Sequence, residues 1–130
     1  MNLKEIRTSG NDLSFVFGTG DKPYLKIKED VYTTIGYLVF RGTDIVGIPT
    51  NIKVMASLKE VATTDVDVRI YDSTNANVIC EVTGITDLIP TLYDLGTLSN
   101  LPTVEAVFEI RAKVGTDGKE GWIHTMGVQF

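Results

Sequence analysis

The sequence predicts one all-β domain, an antiparallel β-sandwich of the jelly-roll kind with about eight strands and an N-terminal hairpin or arm. Apolar and polar residues alternate along much of the chain, which places every second side chain on one face of a strand. Turn-forming residues separate these stretches, as in sandwiches and jelly rolls. The length of 130 residues suits a single domain that buries its own core.

The alternation is clearest at residues 104–114, where apolar side chains occupy every even position. Residues 52–58 and 66–70 show the same pattern, so each stretch is expected to place one face over a core. Further strands are predicted by β-branched and aromatic content at residues 32–40, 77–83, 92–95 and 121–130. The Asp- and Asn-rich loop 72–77 and the Gly-rich loop 115–121 are expected to join antiparallel neighbours.

The first 30 residues are treated as an N-terminal arm or hairpin, and residues 31–130 as the jelly-roll-like domain. Residues 13–17 and 24–27 are short apolar stretches on either side of a strong turn signal at residues 18–23. We predict that they pair as a hairpin at the sheet edge; the alternative is an arm that packs on a neighbouring subunit.

Charge and composition favour a protein without nucleic-acid or membrane partners. The chain has 12 Lys and Arg against 17 Asp and Glu, a net charge of −5, and its basic residues are scattered singly. Nucleic-acid binding needs a basic patch, and no apolar run approaches the roughly 18 residues of a membrane-spanning helix. The first residues lack the pattern of a secretory signal, so synthesis in a cytoplasm without Sec export is expected.

The inventory of reactive side chains is poor, and neither a catalytic residue nor a cofactor is predicted. The one histidine, His124, lies in an alternating stretch that should place it on the same face as Trp122 and Met126, which favours a packed histidine over a general base. The one cysteine, Cys80, is expected to be buried and inert. Zinc sites need three or four His or Cys ligands, so zinc is excluded.

Two other chemistries have candidate residues. Carboxylate pairs such as Asp65 with Asp67 look like the solvated face of a strand rather than a glycosidase centre. Hard oxygen ligands in one loop, with one from another loop, could hold Ca²⁺, although turn geometry explains them better: Asp72, Asn75, Asn77 and Asp87.

Three aromatic residues are candidate glycan contacts, because β-sandwich modules stack sugars on exposed rings. They are Tyr71, Tyr93 and Trp122. The competing interpretation is that these rings cover sheet edges or fill the core. A carbohydrate- or receptor-binding module is therefore the alternative function.

Three segments carry a resemblance to a known class of proteins: residues 66–79, with the sequence VDVRIYDST at their start, residues 93–102, with YDLGTLSNLP, and residues 106–110, with AVFEI. Together they resemble small β-sandwich proteins attached to virions, namely decoration, head-fibre or minor capsid proteins of phages and other DNA viruses. The resemblance covers about residues 32–130. It implies a non-enzymatic structural role in a virion, a homo-oligomeric state, and the major capsid protein or another shell protein as partner.

On this hypothesis the N-terminal region is the expected contact with a neighbour or shell protein, through strand addition or arm exchange. The anchors would be exposed apolar side chains, and the candidates are Leu13, Phe15, Phe17 and Tyr24.

Overall fold

The computed structural model describes residues 2–7, 13–18, 22–60 and 64–130. This part of the chain contains ten strands and one helical turn. In chain order they are β1 (Asn2–Arg7), β2 (Leu13–Gly18), β3 (Leu25–Ile27), β4 (Thr33–Phe40), α1 (Thr43–Val46), β5 (Asn51–Leu58), β6 (Val66–Asp72), β7 (Asn77–Ile85), β8 (Thr91–Asp94), β9 (Ala106–Val114) and β10 (Gly121–Gln129). Within these ranges no helix has the length and hydrophobicity to cross a membrane.

The strands form two antiparallel sheets. One has six strands, in the order β1-β2-β10-β5-β8, with β3 pairing to β10 beyond the end of β2. The other has four strands, in the order β4-β9-β6-β7. The buried apolar residues of both sheets belong to one cluster between them, so the molecule is a sandwich.

The pairing is nested around one central hairpin. β6 pairs with β7, β5 with β8, β4 with β9, and β3 with β10. Each strand before the central β6–β7 turn therefore pairs with the strand that comes the same number of strands after it. A long hairpin folded over in this way, with two of its strand pairs in each sheet, is a jelly roll. The predicted fold class is confirmed.

The central hairpin turns where the Asp- and Asn-rich loop was predicted to join two strands. Asp72 is fully buried, and its Oδ1 accepts a hydrogen bond from the backbone N–H of Asn75 at 3.0 Å. Its Oδ2 accepts a second one from Asn75 Nδ2 at 2.7 Å. Ala76 takes a positive φ of 57° to complete the reversal.

The core is built from the alternating residues that the sequence identified. In β9, the buried side chains are those at even positions, from Ala106 to Val114, and the corresponding residues of β5 and β6 are buried as well. Phe40 of β4 stacks on Phe108 of β9, with ring centroids 5.0 Å apart. The prediction that the β9 strand starts at Val104 is wrong, because the strand begins at Ala106 and Val104 is exposed.

The predicted hairpin between residues 13–17 and 24–27 is wrong. Both stretches pair with β10: β2 lies opposite Thr125 to Val128, and β3 lies opposite Gly121 to Ile123. They therefore run in the same direction along one side of β10, as two parts of an interrupted strand. The hairpin that forms in this region joins β1 to β2.

A β-bulge in β10 changes which residues share a face. Ile123 pairs with Ala56 and Thr125 with Met55, so His124 is an extra residue on the β10 side. As a result Met126 faces the core together with Ile123, whereas Trp122 and His124 lie on the outer face of the six-stranded sheet. The predicted common face for Trp122, His124 and Met126 is wrong for this reason.

Phe17→Ala tests the assignment of β2 to the sandwich. Phe17 is fully buried, so truncation should lower the free energy of unfolding by about 3–5 kcal/mol through lost burial and a residual cavity. The same truncation at the exposed Ile89 should change it by less than about 0.5 kcal/mol. Urea denaturation followed by circular dichroism measures both. Equal, small effects of the two substitutions would contradict the placement of Phe17 in the core.

Candidate functional site

A cluster of aromatic and polar residues lies on the outer face of the six-stranded sheet, around the bulge of β10. Tyr24 stacks on Trp122 with ring centroids 4.0 Å apart and an interplanar angle of 13°. His124 meets the edges of both rings, at centroid distances of 6.1 and 6.4 Å. Trp122 and His124 share this face by ordinary alternation, and the bulge turns Met126, the next residue of that alternation, toward the core.

Both nitrogens of His124 have hydrogen-bond partners. Nδ1 lies 3.3 Å from the carbonyl oxygen of Pro23, which can only accept, so Nδ1 carries the proton. Nε2 lies 3.0 Å from Ser57 Oγ and accepts from its hydroxyl. Burial lowers the pKa of His124, and the hydrogen bond to Pro23 opposes that shift in part. The imidazole is therefore held neutral and fixes the segment before β3 onto β10.

The Ser57–His124 pair resembles half of a hydrolase triad in composition only. Ser57 is fully buried, so its hydroxyl cannot reach a substrate carbonyl. The third partner is a backbone carbonyl rather than a carboxylate, and the nearest carboxylate in the cluster, Glu120, bonds to Trp122 instead. The arrangement orients and packs the ring.

Glu120 connects the same cluster to two lysines. Its Oε2 accepts a hydrogen bond from Trp122 Nε1 at 2.6 Å, and its Oε1 lies 3.7 Å from Lys28 Nζ and 3.9 Å from Lys59 Nζ. Burial opposes ionisation, but the Trp122 hydrogen bond and the lysine charges together lower the pKa of Glu120. The carboxylate stays charged and compensated, as a buried charge must be.

The three candidate glycan contacts lie on different surfaces. Tyr71 lies on the outer face of the four-stranded sheet, under the guanidinium of Arg111 at 3.9 Å. Tyr93 packs against the core from β8 and donates its hydroxyl to Asp87. Trp122 lies on the outer face of the other sheet, with Tyr24 over its ring. These rings do not form one platform, and the glycan-binding interpretation stays a prediction.

The expected exposure of the N-terminal anchors is wrong for two of them. Phe15 and Phe17 are 4% and 0% exposed, because β2 is an internal strand between β1 and β10. Tyr24 is partly covered by Trp122. Leu13 lies on β2, but its side chain falls outside the described part of the structure.

The remaining sequence candidates occupy ordinary structural positions. The oxygens of Asp72 are used by the turn, and Asp87 accepts from Tyr93. In the described ranges, no group of three or more acidic, histidine or cysteine side chains is arranged to hold a metal ion. Cys80 is buried, as predicted, and burial raises the pKa of its thiol to about 12, with Asp94 and Glu81 adding to the shift.

An exposed apolar surface on the four-stranded sheet was not identified from the sequence. Tyr37 and Val39 of β4 are 61% and 57% exposed, and Val107 of β9 lies directly beside Val39. We call these three residues the β4 patch. The signal was present in residues 36–40, GYLVF, where both faces of the strand are apolar, whereas a solvated face is normally polar.

A groove of about 410 Å³ opens between β3 and β4, at the same margin of the sandwich. Its lining includes the apolar side chains of Leu25, Ile27 and Ile35 and the exposed residues Lys26, Lys28 and Glu29. The groove and the β4 patch therefore place accessible apolar surface side by side along one strand, and this margin is the candidate functional site.

The fold has a counterpart among solved structures. The chain is similar to a chain of the crystal structure of the infectious bursal disease virus VP2 subviral particle, with a TM-score of 0.52 and 14% sequence identity. The similarity covers 96% of this chain and 34% of the viral one, so the present chain spans about a third of that protein's length. At this identity the likeness concerns the fold. Protein-family models and curated protein sequences give no match.

Lowering the pH should weaken the fold through His124. Its pKa is lowered in the folded state, so its neutral form contributes stability that is complete above the unfolded value of 6.5 and is lost as the pH falls through the folded value. The free energy of unfolding should therefore fall between pH 7 and pH 5. His124→Gln, which cannot titrate, should show a smaller fall, measured by urea denaturation at each pH. An identical fall in the variant would show that His124 is not responsible.

Proposed function

We propose that this chain is a non-enzymatic structural component of a virus particle: a capsid decoration, head-fibre or minor capsid protein that self-associates and docks on shell proteins. The observation that carries the proposal is the nested jelly roll of β3 to β10, in a fold that is similar to a VP2 chain of a subviral particle. Its place would be the virion, after synthesis in the host cytoplasm.

The chemistry of the described side chains supports a structural role. His124 is bound through both nitrogens, Ser57 is buried beside it, and the thiol of Cys80 is buried with a raised pKa. An active site normally combines a concave pocket with titratable groups that can reach a substrate. The groove between β3 and β4 instead has apolar side chains and exposed charged residues in its lining.

Surface properties support a role in assembly. The β4 patch is exposed on the molecule, and larger exposed apolar areas mark sites of protein interaction. A component that binds through surfaces rather than through a reactive centre needs such areas, and they lie here on a rigid sheet.

Cosedimentation with shells tests the proposal. Empty shells are assembled from the major capsid protein encoded in the same genome, mixed with this protein and pelleted. The protein should enter the pellet saturably, at a fixed ratio to the shell subunit, because a symmetric shell repeats each docking site. An unrelated protein of similar mass and charge is the control for trapping.

The proposal would be contradicted if the protein stayed in the supernatant at tens of micromolar and formed no assembly of its own. A glycan array measured in parallel identifies the alternative. Binding to a defined glycan that is lost in Trp122→Ala, together with a negative shell experiment, would make the chain a carbohydrate-binding module.

A further inference from the structure

Strand β4 forms one margin of the four-stranded sheet, and none of the described segments pairs with its outer edge. The backbone hydrogen bonds shown for β4 run to β9, in a register from Gly36 opposite Ile110 to Phe40 opposite Ala106. The N–H and C=O groups on the other side of an edge strand are a template for pairing with another chain. Long edges of this kind are usually protected.

The opposite margin of the same sheet has such protection. A segment after β8 runs along β7, where Ser99 N–H donates to the carbonyl of Ile79 at 2.9 Å and Glu81 N–H donates to the carbonyl of Leu95 at 3.1 Å. The free edge of β7 is thus partly satisfied within the chain.

The margins of the six-stranded sheet are protected by other means. β8 has only four residues, and β1 has three charged residues among its six. Short edges and charged side chains both discourage pairing with another chain. β4 differs from both, because its eight residues include neither a charge nor a proline.

Apolar exposure on the outer face of the four-stranded sheet is concentrated at β4. Farther from the edge, Arg69 pairs with Glu81 at 2.6 Å, and Arg111 covers Tyr71. Glu109, directly beside Tyr37, is neutralised by Arg111 at 3.3 Å and accepts from Thr34. A chain that approached β4 would therefore contact the apolar β4 patch. The charges of Glu109 and Arg111 beside it compensate each other.

We propose that β4 pairs with β4 of a second copy of this chain, antiparallel and about a two-fold axis at Leu38, so that the two four-stranded sheets become one eight-stranded sheet. The inference rests on the proposed function in one respect, since it names the surface for the self-association included there. A two-fold axis makes one strand sufficient, because the same edge serves both copies.

Sequence and burial select the register. Outer faces must match across the axis, and a slip of one residue would set the outer Tyr37 against the inner face of the partner. The β4–β9 register shifts between Thr34 and Gly36, so the regular part of β4 is residues 36–40. The symmetric register that pairs all five of these residues has Leu38 on the axis.

This register is chemically self-complementary. Tyr37 of each copy lies beside Val39 of the other, so the two β4 patches become one apolar band with two aromatic and β-branched cross-strand pairs. On the inner face, Phe40 of each copy lies opposite Gly36 of the other. An aromatic side chain over a strand glycine covers backbone that would otherwise face water.

Charge variants of the two patch residues test the pairing. In Tyr37→Lys/Val39→Lys, each cross-strand pair becomes two lysines, and the dimer dissociation constant should rise by at least about 100-fold. In Tyr37→Glu/Val39→Lys, the same pairs become Glu with Lys, and the dimer should be at least about tenfold tighter than in the double-lysine variant. Leu92→Lys, an equally exposed position on the other sheet, should leave the dimer intact.

Sedimentation equilibrium of the full chain measures these constants, and urea denaturation checks that each variant is folded. The wild type should sediment at twice the 14.3 kDa of one chain at tens of micromolar. A monomeric wild type, a folded double-lysine variant that dimerises like the wild type, or equal constants for the two charge variants would overturn the proposal.

A disulfide on the axis gives an independent test of the register. Leu38→Cys should form a covalent dimer on mild oxidation, because residues directly opposite in an antiparallel pair have Cβ atoms about 4.5–5.5 Å apart. Thr83→Cys, exposed on β7, should not cross-link faster than random collision. Cys80 is buried with a raised thiol pKa, so the natural cysteine should stay unreactive. Equal cross-linking at both positions would contradict the axis.

Failure of this inference can be told apart from failure of the proposed function. A monomer that still pellets with shells would overturn β4 pairing and leave the virion role in place. A dimer that persists in the double-lysine variant would show that self-association uses another surface. A monomer that stays in the supernatant would contradict both.

Discussion

The last strand, β10, is the element on which the sandwich depends. It pairs with β5 on one side and with both β2 and β3 on the other, so it joins the N-terminal strands to the centre of the six-stranded sheet. Each of these contacts is a ladder of backbone hydrogen bonds between segments far apart in the chain, which form only when the loops between them close. The bulge at His124 lies where β10 changes partner from β2 to β3. The imidazole forms hydrogen bonds on both sides of β10, with Ser57 of β5 and with the carbonyl of Pro23, which precedes β3.

Polarity is unevenly distributed over the outer face of the four-stranded sheet. Most of the outer face of the four-stranded sheet is covered by compensated charges and by arginines over tyrosine rings, such as Arg69 over Tyr32 and Arg111 over Tyr71. Such a face is well solvated in water. The β4 margin lacks this cover, and the apolar groove opens beside it. The sandwich thus keeps a closed core while one edge strand exposes apolar side chains.

The sequence alone was sufficient for the architecture, because period-two alternation reports directly on burial. It correctly assigned the inner faces of β5, β6 and β9, and it found the turn at Asp72. It failed where long-range pairing decides the outcome. Whether Phe15 and Phe17 are anchors for a partner or part of the core depends on their pairing with β10, more than 100 residues away in the chain, which no local pattern encodes.

The bulge was hidden for a related reason. One extra residue in β10 reverses the alternation after His124, and the glycines of this strand, Gly121 and Gly127, lie three residues away on either side, so neither marks the position of the irregularity. The β4 patch, by contrast, could have been found, since a strand that is apolar on both faces at a sheet margin is unusual. Apolar alternation does not distinguish an exposed apolar face from a buried one, so both faces of such a strand look like core.

Peptide mass spectrometry of purified virus particles, produced by the source that encodes this chain, measures the central claim directly. The account predicts that peptides of this chain follow the shell protein through a density gradient, at a constant ratio across the particle peak. Peptides confined to the soluble fraction of the host lysate, with none in the particle peak, would contradict it.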